Sequence, residues 1–441
     1  MFLSGLRPTA SWLFAAVLAV LGIVATSQGQ QPAPGNIRAP GGINTPGSGR
    51  VPDGPRVPRR RPTPPTPPQP AQSMESQSLE SPPLESQRLA SLFSAGEGLP
   101  PIDALAGTPN MFGDLFAGGV QLAFSAPLAP ISGTFDLPLA GGTRRLKVGE
   151  NNSALVQDRV NLLYNHYHNA MNEDARDFVG DPTQRTLSVD RYTLGMEKAL
   201  GASGWSVELL MPLAGETNFI TDDVGIGGGN VGNLAVILKR IVYQCDCTVG
   251  SVGLGINTPT GSDVHGRVFA TDFTVHNQAV YLAPYAAFLR QPTDQFFVQG
   301  FLELDIPTNG NRIDFQDPVN GSGTWGTLRD QTLLYADLST GYWLYRNRCS
   351  SGLSGLASLL EVHYTTALEN ADSVTGFGNG TASRFSFGNL SGRSDVVNLT
   401  VGLHAELAED TLCRVGCAVP LGTGANRSFD SELQVQLERR F

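Results

Sequence analysis

The sequence predicts an all-β fold: a closed antiparallel transmembrane β-barrel of about 12 strands, preceded by a disordered Pro-rich arm. Three observations predict it. From Asp158 onward, long segments alternate apolar and polar residues with a period of two. The connections between those segments alternate long and short. The chain ends on one such segment, with Phe441 as its last residue.

Composition sets the bounds. The chain has 441 residues, 41% hydrophobic and only 16% charged, with 51 glycines. That is too apolar for a wholly disordered chain, yet no long apolar run follows the N-terminus. The net charge of −10 argues against nucleic-acid binding, which needs clustered Lys and Arg. One basic cluster, Arg59, Arg60 and Arg61, sits among prolines. It reads as solvated linker, with a weak contact to an anionic polymer as the sharper alternative.

Four segments follow in order. Residues 1–27 form a cleaved signal peptide: Arg7 is its positive start, 12–24 its apolar stretch, and Ala25-Thr26-Ser27 its small-residue end. Residues 28–92 are a disordered arm rich in Pro, Ser and Gln, with a polyproline II spacer up to Pro70. Residues 93–150 are apolar but broken by Gly and Pro, and a plug, a periplasmic extension and loose chain all remain open there. Residues 151–441 are the barrel.

The strands are expected near 158–170, 186–200, 204–213, 232–245, 248–258, 278–290, 295–306, 331–345, 353–367, 394–408, 411–420 and 429–441. The stretch 397–407 is the cleanest: Val397, Leu399, Val401, Leu403, Ala405 and Leu407 point one way, and Asn398, Thr400, Gly402, His404 and Glu406 the other. Most segments reach the nine to eleven residues a membrane strand needs. Long connections are expected at 171–185, 214–231, 259–277, 307–330, 368–393 and 421–428. The intervening turns are tight. With the N-terminus in the periplasm, the long loops face outward. Lipid offers no hydrogen bonds, so only a closed cylinder satisfies every strand backbone.

This topology sends the polar faces into a lumen. Its candidate lining is Glu303, Asp305, Asp337, Glu361, His363, His404, Glu406 and Arg414, with Glu208 and Arg240 as further members. The acidic bias implies mild cation preference if the pore is open. His166 and His168 share a strand face with Tyr164 and read as a lumen or rim pair, since a third metal ligand is missing. His363 with Glu361, and His404 with Glu406, are acid–imidazole pairs without a G-x-S-x-G elbow, and Ser262 with His265 is a weak loop pair. No enzyme activity, cofactor or metal is therefore expected. Of the five cysteines, Cys349 and Cys413 fall on neighbouring short turns, where a disulfide clasp is possible. The glycine-rich run from Gly225 to Asn230 reads as outer loop, because no helix or Lys follows it.

The segment Val252-Gly253-Leu254-Gly255-Ile256-Asn257-Thr258-Pro259-Thr260-Gly261 resembles the strand-and-turn motif of the bacterial outer-membrane β-barrel family associated with the meta-pathway of phenol degradation. Asp158-Arg159-Val160, with Asn165 and Tyr167 further on, adds to the likeness. The resemblance covers residues 150–441 and implies a transporter-like barrel for small hydrophobic or aromatic compounds.

The expected function is thus an outer-membrane channel for passive uptake of small solutes. The alternatives are a structural or surface-binding barrel with a filled lumen, and a secreted soluble β-sandwich. The expected partners are outer-membrane lipid, an unidentified small solute, and the barrel-assembly machinery through Phe441.

Overall fold

The computed structural model describes residues 105, 107–114, 119–126, 131–176, 182–215, 217–220, 223–347, 350, 352–379, 382–390, 392–407 and 410–441. The expected signal peptide, the arm and Cys349 lie outside these residues.

The chain opens with a hairpin of β1 (Gln121–Ser125) and β2 (Ser132–Asp136). There follow β3 (Arg159–Arg176), β4 (Pro182–Ala199), β5 (Trp205–Ala214), β6 (Thr217–Ile220), β7 (Val224–Gly228), β8 (Ala235–Cys245) and β9 (Thr248–Asn257). The middle comprises β10 (Val264–Val268), β11 (Thr271–Val275), β12 (Tyr281–Arg290), β13 (Phe296–Pro307), β14 (Asn311–Asp317), β15 (Gly321–Leu328) and β16 (Leu333–Arg346). The chain finishes with β17 (Leu353–Ala367), β18 (Ser373–Gly378), β19 (Ser383–Gly388), β20 (Asp395–Leu407), β21 (Thr411–Pro420) and β22 (Ser431–Arg440).

Twelve of these strands form the cylinder, in the order β3-β4-β5-β8-β9-β12-β13-β16-β17-β20-β21-β22. All neighbours are antiparallel. The seam closes between the first and last: β22 pairs with β3 from Ser431 opposite His168 to Arg440 opposite Arg159. The backbone N–H of Phe441 then donates to the Asp158 carbonyl at 3.1 Å. No edge is left along the wall, which lipid requires.

Burial along these strands is the reverse of a water-soluble protein. Leu302 is 55% exposed and the next residue, Glu303, is 1% exposed. The pattern repeats with Leu194 against Arg191, Leu338 against Asp337, Leu360 against Glu361, and Leu437 against Glu438. Apolar side chains face out and charged ones face in, which is the signature of a wall facing lipid.

Two expectations about the loops are corrected. The first connection is mostly strand rather than the loop 171–185. Residues Glu173 to Arg176 pair with β2, and this ladder outweighs their polar composition. The other long connections are also structured. Strands β15, β14, β11, β10, β7 and β6 form a second, six-stranded sheet beyond the long-loop rim. Their strands are only four to eight residues long and rich in Gly and Thr, so periodicity does not mark them.

The β1–β2 hairpin meets this cap through side chains and joins the barrel by backbone pairing. It pairs with β3 on one side and β19 on the other. Leu122, Phe124 and Phe135 are buried with Phe219, Ile226, Phe273, Phe385 and Phe387 in one apolar cluster. Trp325 stacks between Phe315 at 4.9 Å and Phe385 at 5.0 Å.

The corner at Asp317 is a polar tie in the cap. Burial alone would raise its carboxyl. The Thr271 hydroxyl and the backbone N–H groups of Asn379, Asn320 and Val319 outweigh that and hold it at about 2. A depressed folded-state pKa stabilises above the unfolded value and is lost as pH falls through the folded one. Amide exchange at Val319, Asn320 and Asn379 should therefore accelerate as pH drops from about 4 to 2, beyond the intrinsic change. On the wall, Leu302→Arg should cost about 2–4 kcal/mol for a site near the bilayer midplane, read by denaturant unfolding in lipid vesicles.

Candidate functional site

The site is the lumen itself, and a stretch of the chain fills it. Residues 107–114 and 143–157 lie inside the cylinder and touch one another. The Met111 N–H donates to the Asn152 carbonyl at 2.9 Å, and the Asn151 N–H to the Phe112 carbonyl at 3.3 Å. Both limbs are almost fully buried.

The first limb is held by a carboxylate from the wall. Glu361 accepts the N–H groups of Phe112 and Gly113 at 2.9–3.0 Å and the Ser339 hydroxyl at 2.9 Å. The Phe112 ring packs against Gly402 and Gly416. A Cβ at Gly402 would lie 2.3 Å from that ring, so the close approach requires glycine. Below this point, Arg414 donates to the Asn110 carbonyl at 3.0 Å and Gln299 to the Pro109 carbonyl at 3.1 Å.

The second limb carries cations that meet acids on the wall. Arg145 pairs with Asp305 at 2.9 Å, and Arg144 with Asp330 at 3.4 Å. Lys147 Nζ lies 2.5 Å from Asp114 of the first limb and 2.6 Å from Asp337 of the wall. His363 Nδ1 is 2.9 Å from Asp337, and its Nε2 is 3.2 Å from Glu361. The Val148 N–H donates to Glu303 at 2.8 Å. Asp114, Asp337 and His363 are close enough together to ligate a metal. The Lys147 ammonium already supplies the positive charge there.

Toward the short-turn rim, a charge network joins the seam. Arg159 on β3 reaches Glu197 at 2.9 Å, Glu208 at 2.8 Å and Glu438 at 3.0 Å. Lys239 pairs with Glu197 at 3.0 Å, and Arg414 with Glu438 at 3.2 Å. Arg159 also donates to the Asn151 carbonyl at 2.7 Å, and Lys239 to Asn152 Oδ1 at 2.7 Å. The wall network and the second limb therefore share hydrogen bonds.

The lumen is not polar throughout. Leu105, Met111, Leu146, Val148, Ala154 and Leu155 pack on Leu210, Ile237, Ala283, Tyr285, Leu289 and Phe301 in one buried apolar cluster. One side of the filling segment is thus held by apolar contact and the other by charge.

The structure places the sequence candidates as follows. Glu303, Asp305, Asp337, Glu361, His363, His404 and Arg414 are all buried on the inner face. Six of them contact or brace the filling segment. His404 instead lies edge-on to Trp343 at 5.7 Å, and its ring nitrogens have no hydrogen-bond partner among the described residues. Glu406 sits partly buried near the short-turn rim, beside Gly107 and Gly355.

Three expectations need correction. Arg240 faces outward over the Trp205 ring, at 5.1 Å from its centroid, and Lys239 is the inward cation. Alternation fixes this, because Val236 and Leu238 on the same strand already point outward. His166 and His168 also share the outer face, where His166 pairs with Asp190 at 2.7 Å. The lumen acids mostly bind the chain's own cations and N–H groups instead of lining open water. The proposed Cys349–Cys413 clasp rests on Cys349, outside the described residues. Cys413 lies on the outward face of β21, opposite Ala405 and Leu437.

Sequence reasoning missed Asp114, Arg144, Arg145, Lys147 and Glu150, and the wall partners Arg159, Glu197 and Glu438. One signal was present. The run Thr143-Arg144-Arg145-Leu146-Lys147 concentrates cations just ahead of strands with an acidic polar face.

No protein-family model matches the chain, and no curated protein matches it. Solved structures with similar architecture include the NanC porin (8% identity, TM-score 0.35, covering 64% of this chain and 98% of that one). Another is an outer-membrane channel from Pseudomonas putida F1 (12%, 0.39, covering 67% and 100%). A third is the CymD monoaromatic hydrocarbon channel (10%, 0.38, covering 65% and 89%). Likeness at this level carries no inference about what this chain does.

Breaking a buried charge network by removing one member leaves the others unpaired, at a cost of about 3–5 kcal/mol. Arg159→Met should show that loss in urea unfolding from vesicles. Removing Glu438 in the same background should cost less than it does in the wild type, because the two share one interaction.

Proposed function

We propose that this protein is a channel for small solutes in the bacterial outer membrane, held shut in this conformation by its own residues 107–114 and 143–157. The closed lipid-facing cylinder supports the membrane assignment. The observation that carries the gating is the Asp114–Lys147–Asp337 contact across the lumen. It joins both limbs of the plug to the wall through one ammonium group.

Such contacts suit a removable plug. Ion pairs and N–H-to-carboxylate bonds can be exchanged for water once the segment shifts, and the acids on the wall then face an aqueous path. Their charge would favour cations over anions in the opened state. His363 has carboxylates near both ring nitrogens, so it offers none to a nucleophile, and no hydrolytic role is assigned to it.

A second reading is a permanently filled barrel that presents its outer cap to a partner. The six-stranded sheet and the aromatic cluster beneath it favour that alternative. The two readings separate in planar bilayers. Lys147→Ala removes the ammonium between Asp114 and Asp337 and leaves the two carboxylates only the His363 imidazole to share. The channel reading expects cation-selective openings at least ~10-fold more frequent than in the wild type, the factor that 1.4 kcal/mol of lost closure gives. A folded, heat-modifiable Lys147→Ala barrel that stays silent at all voltages would leave only the filled barrel.

A further inference from the structure

Six histidines occur in the chain. His363 and His404 are buried. His276 has a carboxylate oxygen 2.9 Å from each ring nitrogen, from Asp263 on one side and Asp314 on the other. His265 stands alone on the cap, with the Thr274 hydroxyl at its Nδ1. His166 and His168 differ from all of these. They are neighbours on the outward face of β3, with ring centroids 6.3 Å apart and planes 30° from parallel.

Their place on the wall is just beyond the apolar band. Leu162, Leu194 and Met196 are the exposed outward positions of β3 and β4 below them. Next come Tyr164 and Tyr192, whose ring centroids are 5.1 Å apart. Aromatic side chains of this kind mark the interface between membrane and water. Beyond them the outward side chains turn polar: His166, Asp190, His168, Ser188 and Thr186. The His166 side chain is 34% exposed and that of Asp190 45%. The pair therefore stands at the long-loop end of the wall, within reach of ions from outside.

The groups behind the rings decide which nitrogen is offered. His166 Nδ1 lies 2.7 Å from Asp190 Oδ1, and the Tyr164 hydroxyl donates to the same oxygen at 2.8 Å. A carboxylate only accepts, so the neutral ring carries its proton on Nδ1 and keeps a lone pair on Nε2. A carboxylate in this position also makes the imidazole a better ligand. His168 Nδ1 lies 3.3 Å from the Ser188 hydroxyl, which also accepts the Asn169 N–H. That hydroxyl can take the Nδ1 proton in the same way. Neither Nε2 has a partner among the described residues.

We propose that His166 and His168 chelate one divalent transition-metal ion through their Nε2 atoms, with water at the remaining positions. The site lies outside the lumen and does not depend on the channel reading. Imidazole with oxygen donors suits Cu(II), which also binds such sites most tightly in its row. Ni(II) and Zn(II) follow, whereas Ca(II) and Mg(II) prefer oxygen ligands. Rotation of the two side chains brings the nitrogens to the about 2.0–2.1 Å that metal–imidazole bonds need. With only two protein ligands, the ion exchanges with the medium and is no structural metal.

The test is titration of Cu(II) into the full chain in detergent micelles, without a histidine tag and with the thiols alkylated. Electron spin-echo modulation counts the imidazoles on the ion. The wild type should show two at one equivalent. His166→Ala and His168→Ala should each lose the two-imidazole signal while heat-modifiable migration is kept. Asp190→Asn should weaken binding about 10-fold, as loss of a carboxylate behind a ligating histidine does. His265→Ala should change nothing. If an alanine variant fails to fold, His166→Gln and His168→Gln make the same test. Fewer than two imidazoles on the wild-type ion overturns the proposal. So does a two-imidazole signal that survives loss of either histidine, undiminished affinity in Asp190→Asn, or a signal lost in His265→Ala.

Discussion

Lipid cannot hydrogen-bond to a peptide group, and the architecture follows from that constraint. Each wall strand must pair on both sides, so the first must meet the last. The seam between β3 and β22 does this along the whole length of β22. Once the cylinder is closed, the outward side chains must be apolar. Polar ones are then driven inward, because each strand has only two faces.

An inward polar face creates a second requirement. Charges removed from bulk water need partners. Here the chain supplies them itself, threading two limbs through the lumen. Arg144, Arg145 and Lys147 come from the plug and their acids mainly from the wall, while Glu303 and Glu361 take up plug N–H groups. A buried ion pair adds little net stability over an apolar pair of the same shape, but it is costly to leave half-made. The arrangement therefore fixes the plug's position closely, and the apolar side at Met111, Leu146 and Leu155 adds burial.

The cap extends the same economy of edges beyond the membrane. The long loops contain short strands that pair with one another, and the plug hairpin joins them to β3. Aromatic packing around Trp325 then links this sheet to β19. The plug is thus anchored outside by a ladder and an apolar cluster, and inside by charge.

The wall was legible in the sequence because its cause is local. Period two, strand length and the alternation of turns are properties of neighbouring residues, and they locate all twelve wall strands. Alternation also put Glu303, Asp305, Asp337, Glu361 and His363 on the inner face. It could equally have chosen Lys239 over Arg240, since Val236 and Leu238 already mark the outward register. What those inward residues touch was decided only by the tertiary structure. The contact of Glu361 with Phe112, or of Glu438 with Arg159, joins positions hundreds of residues apart, and no periodicity encodes that. The plug is irregular backbone satisfied by side chains of the wall, so its order exists only inside the closed cylinder. The sequence by itself determined a barrel with a charged interior, and the folded chain decided that its own segment would fill it.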